Sequence, residues 1–219
     1  MSGPCPLAKD RIYSGGRRAI MEEEKRPMPG LVDWSARMQE MAQFVGLSPE
    51  EVELVRSTGP LVLAHAEALT SAVYEHFLQF PEARRFFLTE DGQVDQERLA
   101  RRKHSLVWWL RNSIEFKVAE EFPVQLVATA VVHSHPPTHR AHLGSVPARY
   151  MIGTISFAQT ALAQLLRQEM PDPGLAWRAA VAWNKMLMVQ LDLLLASYVT
   201  EQPTAPTATP HLERSEQTP

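Results

Sequence analysis

The stretch EFPVQLVATAVVHSHPP, residues 121–137, decides the fold class of this 219-residue chain. Its apolar residues show no period-2 alternation and run without a turn signal to the double proline Pro136-Pro137. Consecutive prolines remove backbone donors and clash with the preceding turn, so they end a helix. The stretch therefore predicts a helix over residues 120–135 that carries His133 near its end.

Helical signals continue on both sides of this stretch. Ser48-Pro49-Glu50-Glu51 supplies a cap, a first-turn proline and two acids, which predicts a helix that runs to about Thr58. In the helix predicted over residues 95–112, we expect Leu99 and Leu106 inward and Arg98, Arg101 and Arg102 largely outward. The other predicted helices cover residues 31–44, 60–80, 82–87, 147–169 and 173–198, and a loop covers 138–146. The fold class is all-α, with about seven or eight helices.

The two ends of the chain differ in composition from its middle. Residues 1–29 predict an irregular leader, in which Met21 is an alternative start, and 201–219 predict a disordered tail that is rich in Pro and Thr. One domain is expected over 30–200. We find no signal peptide and no membrane span, because polar residues interrupt the apolar stretch 175–199. We therefore expect a cytoplasmic protein.

Charge and cysteine content exclude several classes of protein. The net charge of -3 offers no basic field that would gather phosphates, so nucleic-acid binding is disfavoured. Cys5 is the single cysteine, which rules out an intramolecular disulfide and a cysteine-based zinc cluster.

Five of the eight histidines lie in or near one helix and the following loop: His104, His133, His135, His139 and His142. His133 and His135 diverge by roughly 200° on a helix and cannot share an ion. His133 differs from the other four histidines because mostly apolar residues precede it on the same predicted helix. It can be a core histidine bonded to a backbone carbonyl, or an imidazole that projects into an apolar cavity as a heme ligand. The residues alone leave both readings open.

Four stretches, in this order and spacing, resemble the protoglobin and globin-coupled-sensor families. They are AVYEHF with FPEARRFF (72–77 and 80–87), VDQERL through WWL (94–110), EF through TAVVH (121–133) and VPARYMI (146–152). The segment MPGL (28–31) and the helix after it resemble the extra N-terminal segment of protoglobins. The resemblance covers about residues 45–200 and implies a globin-like fold with an additional N-terminal helix.

The resemblance also implies a cofactor and its site. It implies heme b, with His133 as the iron ligand and Tyr74 on the distal side, where its hydroxyl can donate a hydrogen bond to O2. By the residues alone, Tyr74 could equally cap the core with its hydroxyl at the surface. Phe77, Leu99, Leu106 and Tyr150 complete the expected cofactor-binding set. The spacing to Pro147 in the sensor families points instead to the neighbourhood of His139, and the longer loop of protoglobins points to His133.

Three functions follow from this resemblance. The first is a heme globin that reversibly binds O2, CO or NO for sensing or transport, as a homodimer through the last two helices. No output domain is expected after about residue 200, so signalling would need a separate partner protein. The second is a heme-free interaction module. The third is a heme-dependent NO dioxygenase or peroxidase, which is less favoured because no flavin or nicotinamide motif is visible.

Overall fold

The computed structural model describes residues 32–118 and 121–199. Within these residues it has no strand, apart from an isolated bridge between Leu88 and Val94, so the all-α prediction is confirmed. The α-helices in the described residues are α1 (Trp34–Phe44), α2 (Pro49–Ala64), α3 (Ala66–Gln79), α4 (Pro81–Arg84), α5 (Gln96–Glu115), α6 (Phe122–Ser134), α7 (Ala148–Glu169) and α8 (Pro173–Leu195). Short 3-10 helices cover Arg85–Phe87 and Thr138–Leu143.

The helix starts are fixed by side chains next to them in sequence. At the start of α2, the Ser48 hydroxyl accepts from the Glu51 amide at 3.2 Å, and the Glu51 carboxylate accepts from the Ser48 amide at 2.9 Å. Asp95 accepts from the Arg98 amide at 2.9 Å and so caps α5. These caps satisfy amides that have no partner within the helix, and they explain why the sequence located both starts correctly.

The boundary predicted at Pro60 is wrong. Pro60 lies inside α2, which continues to Ala64, and the break comes at His65. Pro60 is exposed, so the helix can present to solvent the backbone carbonyl that the proline leaves without an amide donor. At the break, the His65 ring nitrogen Nδ1 donates to the Leu61 carbonyl at 3.1 Å.

The core is organised around α8, against which α1, α2, α6 and α7 pack. Trp183 is 1% exposed, and its Nε1 donates to the Thr58 hydroxyl of α2 at 3.0 Å. Trp183, Leu187 and Leu194 of this helix are buried, whereas Trp177 is 71% exposed. The buried residues of α8 thus belong to the core, and the homodimer through the last two helices remains a prediction.

Ion pairs join α1 and α2 to α8, and a glycine lets α2 pack closely against α5. Arg37 of α1 pairs with Asp192 at 2.7 Å, and Lys185 pairs with Glu51 at 2.7 Å. A Cβ atom on Gly59 would lie 2.5 Å from Cγ2 of Ile114, so glycine at this position lets α2 approach α5 closely.

Each helix that the structure describes is too short or too polar to span a lipid bilayer. The predicted leader, the predicted tail and Cys5 lie outside the described residues.

Candidate functional site

A cavity of about 670 Å³ lies among α3, α5, α6 and α7, closed at one side by the segment that joins α6 to α7. That volume is typical of sites that hold a drug-sized molecule or a cofactor. Most of the lining is aromatic or aliphatic, with contributions from Phe77, Phe87, Trp108, Phe122, Val132, Tyr150 and Leu194. The cavity therefore suits a broad, largely apolar ligand.

His133 lines this cavity from the last turn of α6. Its Nδ1 lies 2.7 Å from the Thr129 carbonyl, which can only accept a hydrogen bond, so Nδ1 carries the proton and Nε2 has a free lone pair. Burial lowers the pKa of His133, the bond to Thr129 opposes this in part, and the charges of Arg102 and Arg140 lower the pKa further. The imidazole is thus neutral at pH 7 and has one nitrogen able to bind a metal.

Tyr74 lines the cavity from α3 and is 8% exposed. Its ring meets the rings of Phe77 and Phe87 edge-on, with centroids 5.7 and 5.5 Å away. Burial raises the pKa of Tyr74 to about 12, which the charge of Arg102 opposes. Within the described residues the hydroxyl has no hydrogen-bond partner. Tyr74 is therefore a fixed, protonated donor at the cavity wall.

Five of the six predicted cofactor-binding residues come together here: His133, Tyr74, Phe77, Leu106 and Tyr150 line the cavity. Leu99 does not line it and is buried in the protein interior at 8% exposure. The side chain of His139 lies outside the described residues, so the alternative between His133 and His139 remains a prediction. Within the described part of the chain, no group of three or more His, Cys, Asp or Glu residues could hold a metal ion.

Three arginines that were not among the predicted site residues line the cavity: Arg98 and Arg102 on α5, and Arg140 on the connection after α6. Within the described residues, the guanidinium groups of Arg102 and Arg140 form no ion pair or hydrogen bond. Burial lowers the pKa of Arg102, and the charge of Arg140 lowers it further. Two guanidinium groups at the cavity wall thus have no carboxylate partner in the part of the chain that the structure describes.

The prediction that Arg98 and Arg102 point outward is wrong. Both line the cavity, and Arg98 also donates to the carbonyls of Phe86 and Leu88 at 3.2 Å. Arg98, Arg102 and Leu106 are spaced by four residues, so they share one face of α5, and this spacing was the signal available in the sequence.

Hydrogen bonds link the segment between α6 and α7 to the end of α6 and to the turn after α8. The Val146 amide donates to the His133 carbonyl at 2.8 Å, and the Tyr198 hydroxyl donates to the Val146 carbonyl at 2.8 Å. The hydroxyls of Ser134 and Ser197 lie 2.8 Å apart. The end of α6 is therefore linked to the turn that follows α8.

Comparisons with known proteins agree with this architecture. The family model described as Protoglobin matches residues 35–204. The structure is similar to the globin domain of the Geobacter sulfurreducens globin-coupled sensor, with a TM-score of 0.57 and 21% identity over 74% of this chain and 97% of that one. It is also similar to the globin domain of E. coli DosC in its ferric form, with a TM-score of 0.55 and 14% identity over 73% of this chain and 97% of that one. No protein of curated function matches the chain.

Proposed function

This chain belongs to the protoglobin family, and on that premise we propose that it binds heme b in the cavity lined by His133 and there reversibly binds a diatomic gas. The observation that carries the proposal is the state of His133, neutral and with Nε2 free at the wall of a cofactor-sized cavity. When bound, heme would supply the iron that takes the gas.

The residues present fit this group in three respects. An imidazole whose other nitrogen donates to a backbone carbonyl is the usual form of a metal-ligating histidine. The aromatic and aliphatic walls match the apolar faces of a porphyrin. Arg102 and Arg140 supply guanidinium groups for the propionates, and arginine pairs with carboxylates in a well-defined geometry.

Tyr74 supports the gas-binding part of the proposal. Its phenol is protonated, is held by two aromatic rings and has no other hydrogen-bond partner within the described residues. It can therefore donate a hydrogen bond to O2, which carries partial negative charge when held at iron, and much less to CO. This difference would let the site distinguish the two gases.

Titration of the purified full-length chain with hemin tests the proposal. We expect saturable, equimolar uptake with a sharpened Soret band, and a reduced form whose spectrum changes on addition of CO. In His133→Gly, the band of the reduced form should be altered and heme retention weakened, and added imidazole should restore the spectrum. No saturable uptake by the wild-type chain would refute the proposal and favour the heme-free module.

His139→Gly is the matched control, because it removes the other candidate imidazole. We expect its spectrum to equal that of the wild type. If His139→Gly loses the band and His133→Gly keeps it, the assignment of His133 as ligand is wrong, and heme binding itself stands.

A further inference from the structure

The wall of the cavity carries positive charge that no acidic side chain of the described residues balances. Arg98, Arg102 and Arg140 line the cavity, and among the described residues no Asp or Glu does. Arg98 is paired with Asp95, whose carboxylate lies 3.2 Å from the Arg98 Nε. Arg102 and Arg140 have no such partner within the described residues, and the charge of Arg140 adds to burial in lowering the pKa of Arg102. An anion in the cavity would therefore offset the repulsion between two like charges.

Tyr74 of α3 and Arg102 of α5 line the same cavity where these two helices pack together. Between the helices, the Lys103 ammonium donates to the Ser71 hydroxyl at 3.0 Å, one residue from Arg102 and three residues from Tyr74. Burial raises the pKa of Tyr74 to about 12, and the charge of Arg102 opposes this rise. The phenol and the guanidinium are therefore neighbours at one wall of the cavity.

These two neighbours supply hydrogen-bond donors that the chain itself does not use. Within the described residues, neither the Tyr74 hydroxyl nor the Arg102 guanidinium has a hydrogen-bond partner. A guanidinium can only donate, and its planar fork matches two oxygens of one acceptor group. A diatomic gas that accepts from the phenol would leave the guanidinium unsatisfied, whereas a planar oxyanion can accept from both groups. The donor set therefore suits an anion better than a neutral molecule.

We propose that Tyr74 and Arg102 form a binding site in the cavity for a small oxyanion that has a single negative charge and two oxygens on one atom, such as nitrite or formate. The Arg102 guanidinium donates to the two oxygens, and the Tyr74 hydroxyl donates to one of them. This inference goes beyond the proposed function, which concerns neutral gases, and its first test needs no heme.

Titration of the isotopically labelled, heme-free chain with sodium nitrite, followed by NMR at constant ionic strength, tests the site directly. We expect the Nε–H resonance of Arg102, assigned with the variant Arg102→Met, to shift saturably. In Tyr74→Phe, which keeps the ring and removes the donor, half-saturation should need about threefold to tenfold more nitrite. Arg101 is the internal control, because its guanidinium is exposed and pairs with Glu97, so its resonance should not follow the same curve.

The heme-loaded chain gives a second readout that separates charge from access. In the ferric form, nitrite titration followed in the Soret band should show about tenfold weaker binding in Arg102→Met than in the wild type. The affinity of the reduced form for CO should be equal in the two proteins, because CO carries no charge. Arg101→Met removes one positive charge from the same helix and should bind nitrite as the wild type does. Circular dichroism first checks that every variant folds as the wild type does.

Several results would overturn the inference. The first is an Arg102 resonance that does not move with nitrite, or that moves in parallel with the Arg101 resonance. The second is equal nitrite affinity in the wild type and Arg102→Met, even if this variant loses heme faster, because Arg102 would then contact only the propionates. The third is an equal weakening of nitrite and CO binding, which would make Arg102 a control on access. A wild-type chain that takes up no heme would overturn the proposed function, and the heme-free titration would still decide this inference.

Discussion

Removal of the Tyr74 hydroxyl gives the sharpest test of how the cavity treats a gas. In Tyr74→Phe the ring should keep its edge-on contacts with Phe77 and Phe87, because neither contact uses the hydroxyl. The change is therefore confined to one donor at the cavity wall. We expect O2 to dissociate faster from the heme-loaded variant and CO to dissociate at nearly the wild-type rate.

The size of the effect follows from the surroundings of the hydroxyl. A hydrogen bond to a partly charged acceptor in a buried site contributes about 1–3 kcal/mol. Tyr74 is 8% exposed and has no competing partner within the described residues, and its ring is already fixed. Little ordering cost remains, so we expect about 2 kcal/mol, which is roughly a thirtyfold faster dissociation of O2.

Stopped-flow displacement of O2 and of CO from the wild type and the variant measures this ratio. Tyr150→Phe is the matched variant, since it deletes the hydroxyl of another tyrosine that lines the cavity. If Tyr74→Phe accelerates both gases equally, the hydroxyl acts by access and not by hydrogen bonding. If Tyr150→Phe alone shows the selective effect, the wrong tyrosine has been assigned as donor.

Three further predictions concern charge, pH and packing. Arg102→Met should speed heme transfer to apomyoglobin about fivefold, because it removes a guanidinium partner of a heme propionate. The effect is no larger because Arg102 is half-exposed, so solvent partly screens the pair. Arg101→Met, on the exposed face of α5, should leave the transfer rate unchanged. Because burial raises the pKa of Tyr74 from 10.0 to about 12, the unfolded chain ionises this phenol first. The free energy of unfolding of the heme-free chain should therefore fall between these two pH values, by up to about 3 kcal/mol. Urea denaturation at a series of pH values should show a smaller fall in the free energy of unfolding for Tyr74→Phe than for the wild type. Gly59→Ala should cost about 1–3 kcal/mol in urea denaturation through its clash with Ile114. The loss in the double variant with Ile114→Ala should be smaller than the sum of the two single losses, so additive losses would contradict the packing argument.

The sequence specified the helices well where local chemistry marks their ends. The capping box at Ser48, the cap at Asp95 and the double proline after α6 act on adjacent backbone groups, so they can be recognised without knowledge of the fold. The helix boundary predicted at Pro60 is wrong, because a proline is tolerated inside a helix when the carbonyl it leaves unpaired reaches solvent. That condition depends on which face packs inward, a tertiary property.

The residues that line the cavity were predicted less completely than the helix ends, for a different reason. The polarity pattern of a sequence assigns each residue either to the core or to solvent. A residue that lines a cavity is in neither of these environments. Arg102 is polar and was therefore placed outside, although it shares a helix face with Leu106 and lines the cavity. The bond between Val146 and His133 depends on the path of an irregular connection, which no periodicity encodes.

The central place of α8 has a consequence for how the protein is made. Eleven buried residues come from this helix, which is the last of the described helices to leave the ribosome. Until it emerges, α1, α2, α6 and α7 expose the apolar faces that will later cover it. We therefore expect nascent chains that end before residue 173 to be recognised by chaperones, and the cooperative core to form only after synthesis of α8 is complete.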